Sequence, residues 1–170
     1  MELSKLSRKQ LEQLLTDFAK RWLAHDGLWF QQVEQSYGMD EAIRLDLGAW
    51  EHFTVLEAQR IMALIGIEPG GGLVALREAL QYRLYSFVNR QEIIETDQNS
   101  LILRMNDCRV QSARSRKKLP AFPCRPVGLV EYTGFAKTID SRIQTSCLYC
   151  PPDEHPHDSH CAWEFRLAKL

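Results

Sequence analysis

The feature that most restricts the fold is a change of period near residue 91. Before it, apolar residues return every three or four positions, the spacing that gives a helix one buried stripe. In residues 8 to 23, Leu11, Leu14, Leu15, Phe18, Trp22 and Leu23 form such a stripe, with Glu, Gln, Lys and Arg opposite. Asp26 has the chemistry of an N-cap for a second helix, carrying Trp29, Phe30 and Val33 and stopping at Gly38. Asp40 can cap a third through Ile43, Leu47 and Trp50, and Thr54-Val55-Leu56-Glu57 matches a capping box that predicts a new helix to Gly66. Pro69-Gly70-Gly71-Gly72 breaks the chain, and Leu73, Leu76, Leu80, Leu84 and Phe87 mark a fifth helix ending near Asn89.

Beyond residue 91 the runs are short and β-prone. Gln91 to Glu95 and Leu101 to Asp107 predict a hairpin around the turn composition of Thr96 to Ser100. A short basic helix follows over 109 to 118, then the proline-stiffened segment 119 to 126. Val127, Val130, Phe135 and Ile139 predict another helix, weakened by Gly128 and Gly134. Two strands close the chain, 141 to 148 and 161 to 167. In the last, Cys161, Trp163, Phe165 and Leu167 share one face and Glu164 and Arg166 the other. The expected class is α+β: a helical N-terminal half, then a β-β-α-α-β-β half with an antiparallel sheet. At 170 residues this fits one domain, with a helical subregion over 1 to 90 and a cysteine-bearing one over 91 to 170.

The net charge of −1 supplies no global pull toward nucleic acid or an anionic membrane, so neither is an expected partner. No run of about 18 apolar residues and no signal-peptide pattern occurs, and a cytoplasmic protein is expected. In that reducing setting five cysteines point to metal binding, thiol chemistry or burial before disulfides.

The chemistry is densest near the C-terminus. Cys147-Leu148-Tyr149-Cys150-Pro151-Pro152-Asp153 precedes His155, His157 and His160, and Cys161 opens the last strand. Two thiols at CxxC spacing reach one ion from a tight turn, and four thiolates close a tetrahedral zinc site. The expected set is Cys124, Cys147, Cys150 and Cys161, with Cys108 or His160 as substitutes. An iron–sulfur cluster ranks below zinc because the tight repeated C-x-x-C run is missing. Cys147 and Cys150 also offer a redox pair. The histidines otherwise read as solvated loop residues.

Arg109, Arg114, Arg116, Lys117 and Lys118, joined by Arg125, form the concentrated positive patch. Arg109 and Arg125 are the expected grips for a small carboxylate or other anionic ligand. The Pro-Gly-Gly-Gly segment lacks the Lys-Ser or Lys-Thr of a phosphate loop. His25 with Asp26 is a weak acid–base pair, better read as part of a cap. Trp22, Trp29, Phe30, Trp50 and Phe53 are spaced as buried helical faces.

The element order resembles the ligand-binding domain shared by 4-vinyl-reductase-type proteins and transport-complex (TRAPP) subunits. The stretches His25 to Phe30, Cys124 to Gly128, Phe135 to Asp140 and Cys147 to Trp163 resemble an uncharacterised family of small prokaryotic cytosolic proteins. The positions of Cys108, Cys124 and Cys161 are remotely similar to those of L-2-amino-thiazoline-4-carboxylate hydrolases, which lack the CxxC pair. The first expectation is therefore a zinc-bearing small-ligand-binding or sensing module, with a homodimer as one partner state. The alternative is a thiol- or metal-dependent hydrolase of a small amino-acid-like carboxylate, with Cys108 or Cys161 as nucleophile or ligand, Arg109 or Arg125 gripping the carboxylate, and Arg109 placed to stabilise a Cys108 thiolate.

Overall fold

In a computed structural model, which describes residues 2–168, the period change at 91 separates helices from strands as expected. Helices α1 (Arg8–Tyr37), α2 (Met39–Ile65) and α3 (Gly72–Leu80) precede the hairpin of β1 (Arg90–Asp97) and β2 (Ser100–Asp107). Then come α4 (Arg109–Arg116), α5 (Cys124–Ile139), β3 (Ile143–Tyr149) and β4 (Cys161–Leu167). The sheet is antiparallel in the order β1-β2-β4-β3, so β2 and β4 join the two hairpins at its centre.

Three helix boundaries differ from the sequence expectation, each for a local reason. Asp26 does not cap a new helix, and α1 runs through it. Gly27 inside that helix costs about 1 kcal/mol relative to Ala, too little to override a stripe that continues from Leu23 to Phe30. Thr54 starts nothing: its hydroxyl donates to the Glu131 carbonyl at 2.6 Å, tying α2 to α5. The fifth expected helix ends at Leu80, because Arg83 turns inward to Glu57 and Glu131, and the chain continues as a 3-10 turn over Leu84–Phe87.

The core lies where α2, α3 and α5 cover one sheet face. Leu101, Leu103 and Met105 of β2 meet Trp163 and Phe165 of β4 there, with Phe135 and Ile139 of α5 above them. The other face is polar, where Glu92 accepts from Arg104 and Asn106, and Glu164 pairs with Arg166. The two glycines read as weakening α5 permit its close approach. A Cβ at Gly128 would stand 2.4 Å from the Trp163 ring, and one at Gly134 2.4 Å from Thr54 Cγ2. Asp140, just past α5, accepts from the Gly72 N–H and from Arg142, whose guanidinium holds it down to about 2.

Not every apolar stripe is buried. Trp29 is 70% exposed, and Trp22 and Phe18 are also largely open on α1, contrary to the expectation of core packing. Trp50 is buried as expected. No helix among the described residues is long and apolar enough to cross a membrane.

Candidate functional site

The core is incomplete at one end. Between α1, α2, α4, α5 and the Cys161 end of β4 lies a cavity of about 380 Å³, within the range of small-molecule sites. Its floor is Trp163, Tyr132 and Met105, and Trp50 and Tyr85 form a side wall. Leu23 and Phe30 enter from α1. The mouth is covered by α4 and the following loop. Arg114 donates to both carboxylate oxygens of Glu34 on α1 at 2.7 Å each and to the Pro120 carbonyl at 2.6 Å. Gln111 bonds Phe122 through both its amide oxygen and nitrogen.

Three carboxyl groups reach the cavity from three helices: Asp26 on α1, Asp46 on α2 and Glu131 on α5. Burial, helped by repulsion from Asp26 and Glu131, pushes Asp46 up to about 7, against a hydrogen bond from the Trp50 indole. Burial also raises Asp26, with the neighbouring His25 opposing. Glu131 is raised by burial against the pull of Arg83.

Arg83 stands behind this wall. Its burial works against charge, yet Glu57 and Glu131 outweigh it and keep the guanidinium protonated. Four rings surround it, with centroids at 4.7 Å for Phe135, 5.3 Å for Tyr132, 5.6 Å for Tyr85 and 5.9 Å for Trp50. The Arg83 Nη2 to Glu131 Oε1 separation is 2.7 Å, but the pair is out of line for a directed hydrogen bond. Two cavity-lining residues thus carry a buried atom without a directed hydrogen bond, Glu131 at Oε1 and Trp163 at Nε1.

The expected cysteine ligands gather at this same end of the sheet. The Cys124 N–H donates to the Pro151 carbonyl at 3.1 Å, which ties the start of α5 to the turn after Cys150. Cys150 lies beside Cys147, and burial raises the Cys161 thiol, with Cys108, Cys124 and Cys150 nearby adding to the shift. Their side chains do not enclose an ion as they stand. Among the described residues no three His, Cys, Asp or Glu groups form a metal-sized cluster. The Cys124 sulfur accepts from Gln111 Nε2 at 3.1 Å and donates to the Phe122 carbonyl. All five thiols are free and raised, chiefly by burial; Cys150 reaches about 12, with Cys147 adding to the shift.

Cys108 lines the cavity and does not show the lowered pKa that an activated nucleophile needs. Burial and the Asp107 charge raise it, against backbone N–H groups of Val110 and Gln111 that lower it. Arg109 lies on the cavity rim and is exposed. Arg125 is elsewhere: it pairs with Asp153 at 2.7 Å and sits beside Cys147 and Cys150. His155 and His157 are exposed as expected, and the His160 N–H donates to the Met105 carbonyl.

Sequence reasoning took Asp26 as a helix cap and passed over Asp46 and Glu131. A signal was present, since each interrupts an apolar stripe: Asp26 between Leu23 and Phe30, Asp46 between Ile43 and Trp50, Glu131 between Val127 and Phe135. A charge at such a position faces the interior and needs a reason.

With this geometry in view, comparison with known proteins is informative about family and fold. Residues 4–167 match the model of a family of unknown function, DUF6125. The chain belongs to that family. No curated protein matches. Among solved structures, the phenol-responsive sensory domain of the transcription activator PoxR, crystallised with phenol, is similar at 18% identity and a TM-score of 0.54. The match covers 85% of this chain and 73% of that one, and it shows a shared fold.

Proposed function

We propose that this member of DUF6125 is a small-molecule-binding module of the sensing type, whose ligand occupies the cavity between α1, α2, α4, α5 and β4. The observation that carries the reading is the cavity itself: it has ligand-site volume, aromatic walls and buried polar atoms with unmet hydrogen bonds. A protein that needed only a packed core would fill such a space, because a void costs stability in proportion to its volume. The likeness to a phenol-responsive sensory domain is in keeping with this use of the fold.

The same reading includes a structural zinc ion held by Cys124, Cys147, Cys150 and Cys161. It is supported by the backbone, which carries these four thiols to one end of the sheet from α5, β3, its turn and β4. It also requires Cys124 to leave Gln111 and Phe122. A closed thiolate set supplies cross-linking and no open coordination position.

Two measurements test the reading. A thermal-shift and tryptophan-fluorescence screen of phenol-sized aromatic compounds should find saturable binders, and Cys108→Trp, which fills the cavity, should abolish their binding while the fold is retained. Binding unaffected by that substitution would place the ligand elsewhere. Elemental analysis should find one zinc per chain, lost together with thermal stability in Cys147→Ser; metal-free protein with unchanged melting would remove zinc and leave the cavity reading standing.

A further inference from the structure

The cavity is electrically lopsided. Its inner wall gathers Asp26, Asp46 and Glu131, and behind it Glu57 adds a fourth carboxyl group, while Arg83 is the buried cation that answers them. That cation is committed to Glu57 and Glu131. Among the described residues no cation lowers Asp46, and His25 alone does so for Asp26. The basic groups of α4 lie across the mouth. There Arg114 is consumed by Glu34 and Lys117 donates to Gln31, and Arg109 and Arg116 are exposed to water, where a charge contributes little to binding.

A second, independent observation marks the same wall. Glu131, 7% exposed, has Oε1 met only by the unaligned ion pair with Arg83 at 2.7 Å. A carboxylate oxygen met only by an unaligned ion pair keeps a lone pair for a further N–H or O–H from whatever fills the space. The aromatic wall asks for the same charge sign. Trp50, Tyr85 and Tyr132 already hold a guanidinium on one side and border the cavity as well. Ring faces carry negative potential that favours a desolvated cation.

We propose that the cavity takes an organic cation, a primary amine on a small aromatic body, with its ammonium group among Asp26, Asp46 and Glu131 and its ring against Trp50, Tyr85 and Tyr132. This rests on reading the cavity as a ligand site and names the ligand's class. An ammonium supplies donors to the carboxylate wall, and no redistribution of covalent bonds is involved. Because the cation favours the ionised form of Asp46, affinity should rise as pH climbs from 6 to 8. Asp26 and Glu131 are the charged groups beside Asp46, with His25 next to Asp26 and Arg83 and Glu57 next to Glu131.

The test compares 2-phenylethylamine, its neutral counterpart 2-phenylethanol and the anion phenylacetate by calorimetry on the full chain. The amine should bind at least tenfold more tightly than the alcohol at pH 8, and phenylacetate weakest of all. Asp46→Asn and Asp26→Asn should each erase most of the amine's margin and leave alcohol binding unchanged, with melting curves confirming that both variants fold. An alcohol that equals the amine, an anion that exceeds it, or folded Asn variants that keep the margin would overturn the amine and leave the ligand site intact. If none of the three binds or alters tryptophan fluorescence, the amine inference fails, and the aromatic screen with Cys108→Trp decides the cavity reading separately.

Discussion

Helices α1 and α5 both border the cavity, and they are built in opposite ways. Helix α5 buries seven of its sixteen residues, whereas α1 buries two of thirty. Close contact of α5 with β4 and α2 is possible because Gly128 and Gly134 omit a side chain where Trp163 and Thr54 stand. By contrast, α1 touches α4 through the Arg114–Glu34 pair and the Lys117–Gln31 bond. The contrast teaches a division of labour. A frame of α2, α5 and the sheet carries stability, and a loosely fastened side carries access to the cavity, as expected where opening must cost less than global unfolding.

The sharpest way to break this contrast is at Arg83, where frame and cavity meet. Arg83→Met removes the charge that answers Glu57 and Glu131 and should cost about 3–5 kcal/mol, read as a lower denaturant midpoint with an unchanged slope. A smaller loss is expected from Gly128→Ala, whose new methyl would strike the Trp163 ring; forcing α5 off the sheet should cost about 1–3 kcal/mol. A melting temperature within a degree of the parent would show that α5 is not held as closely as described.

Next in size is a change of slope with pH. Asp46, at about 7 in the folded chain against an ordinary value of 3.8, keeps its proton after the unfolded chain has lost it. Stability should therefore fall as pH rises from near 4 through about 7, and Asp46→Asn should flatten that fall and be the more stable protein at pH 8. Melting curves at pH 5, 6.5 and 8 decide it; a parallel fall in parent and variant would assign the slope to Glu131 and Asp26. At the small end, Trp29→Ser on the open face of α1 should change stability by no more than about 0.5 kcal/mol. A larger loss would give α1 a packing role that its exposure denies.

The architecture was legible in the chain because both signals that define it are local. The i, i+3, i+4 recurrence of Leu and Trp up to residue 87, and the alternation of Cys161, Trp163, Phe165 and Leu167, depend on nothing outside their own segments. Boundaries were less legible. Asp26 and Thr54 have capping side chains, and what they do instead depends on partners far along the chain: Thr54 bonds to residue 131, and Asp26 faces a cavity walled by five elements. The candidate site was half legible. The clustering of Cys147, Cys150 and Cys161 drew notice as composition, whereas Asp46 and Glu131 were hidden because a single acid in a helix is unremarkable until the facing helices are known.

Trp50, Tyr85 and Tyr132 each pack a ring near Arg83 and each also line the cavity. A visiting molecule would therefore meet rings whose tilt is already set from behind, and docking would demand little rearrangement of the wall. With Trp50 and Trp163 both bordering that space, the chain also carries its own optical gauge: filling and emptying should register as a shift in indole emission before any dye or label is attached.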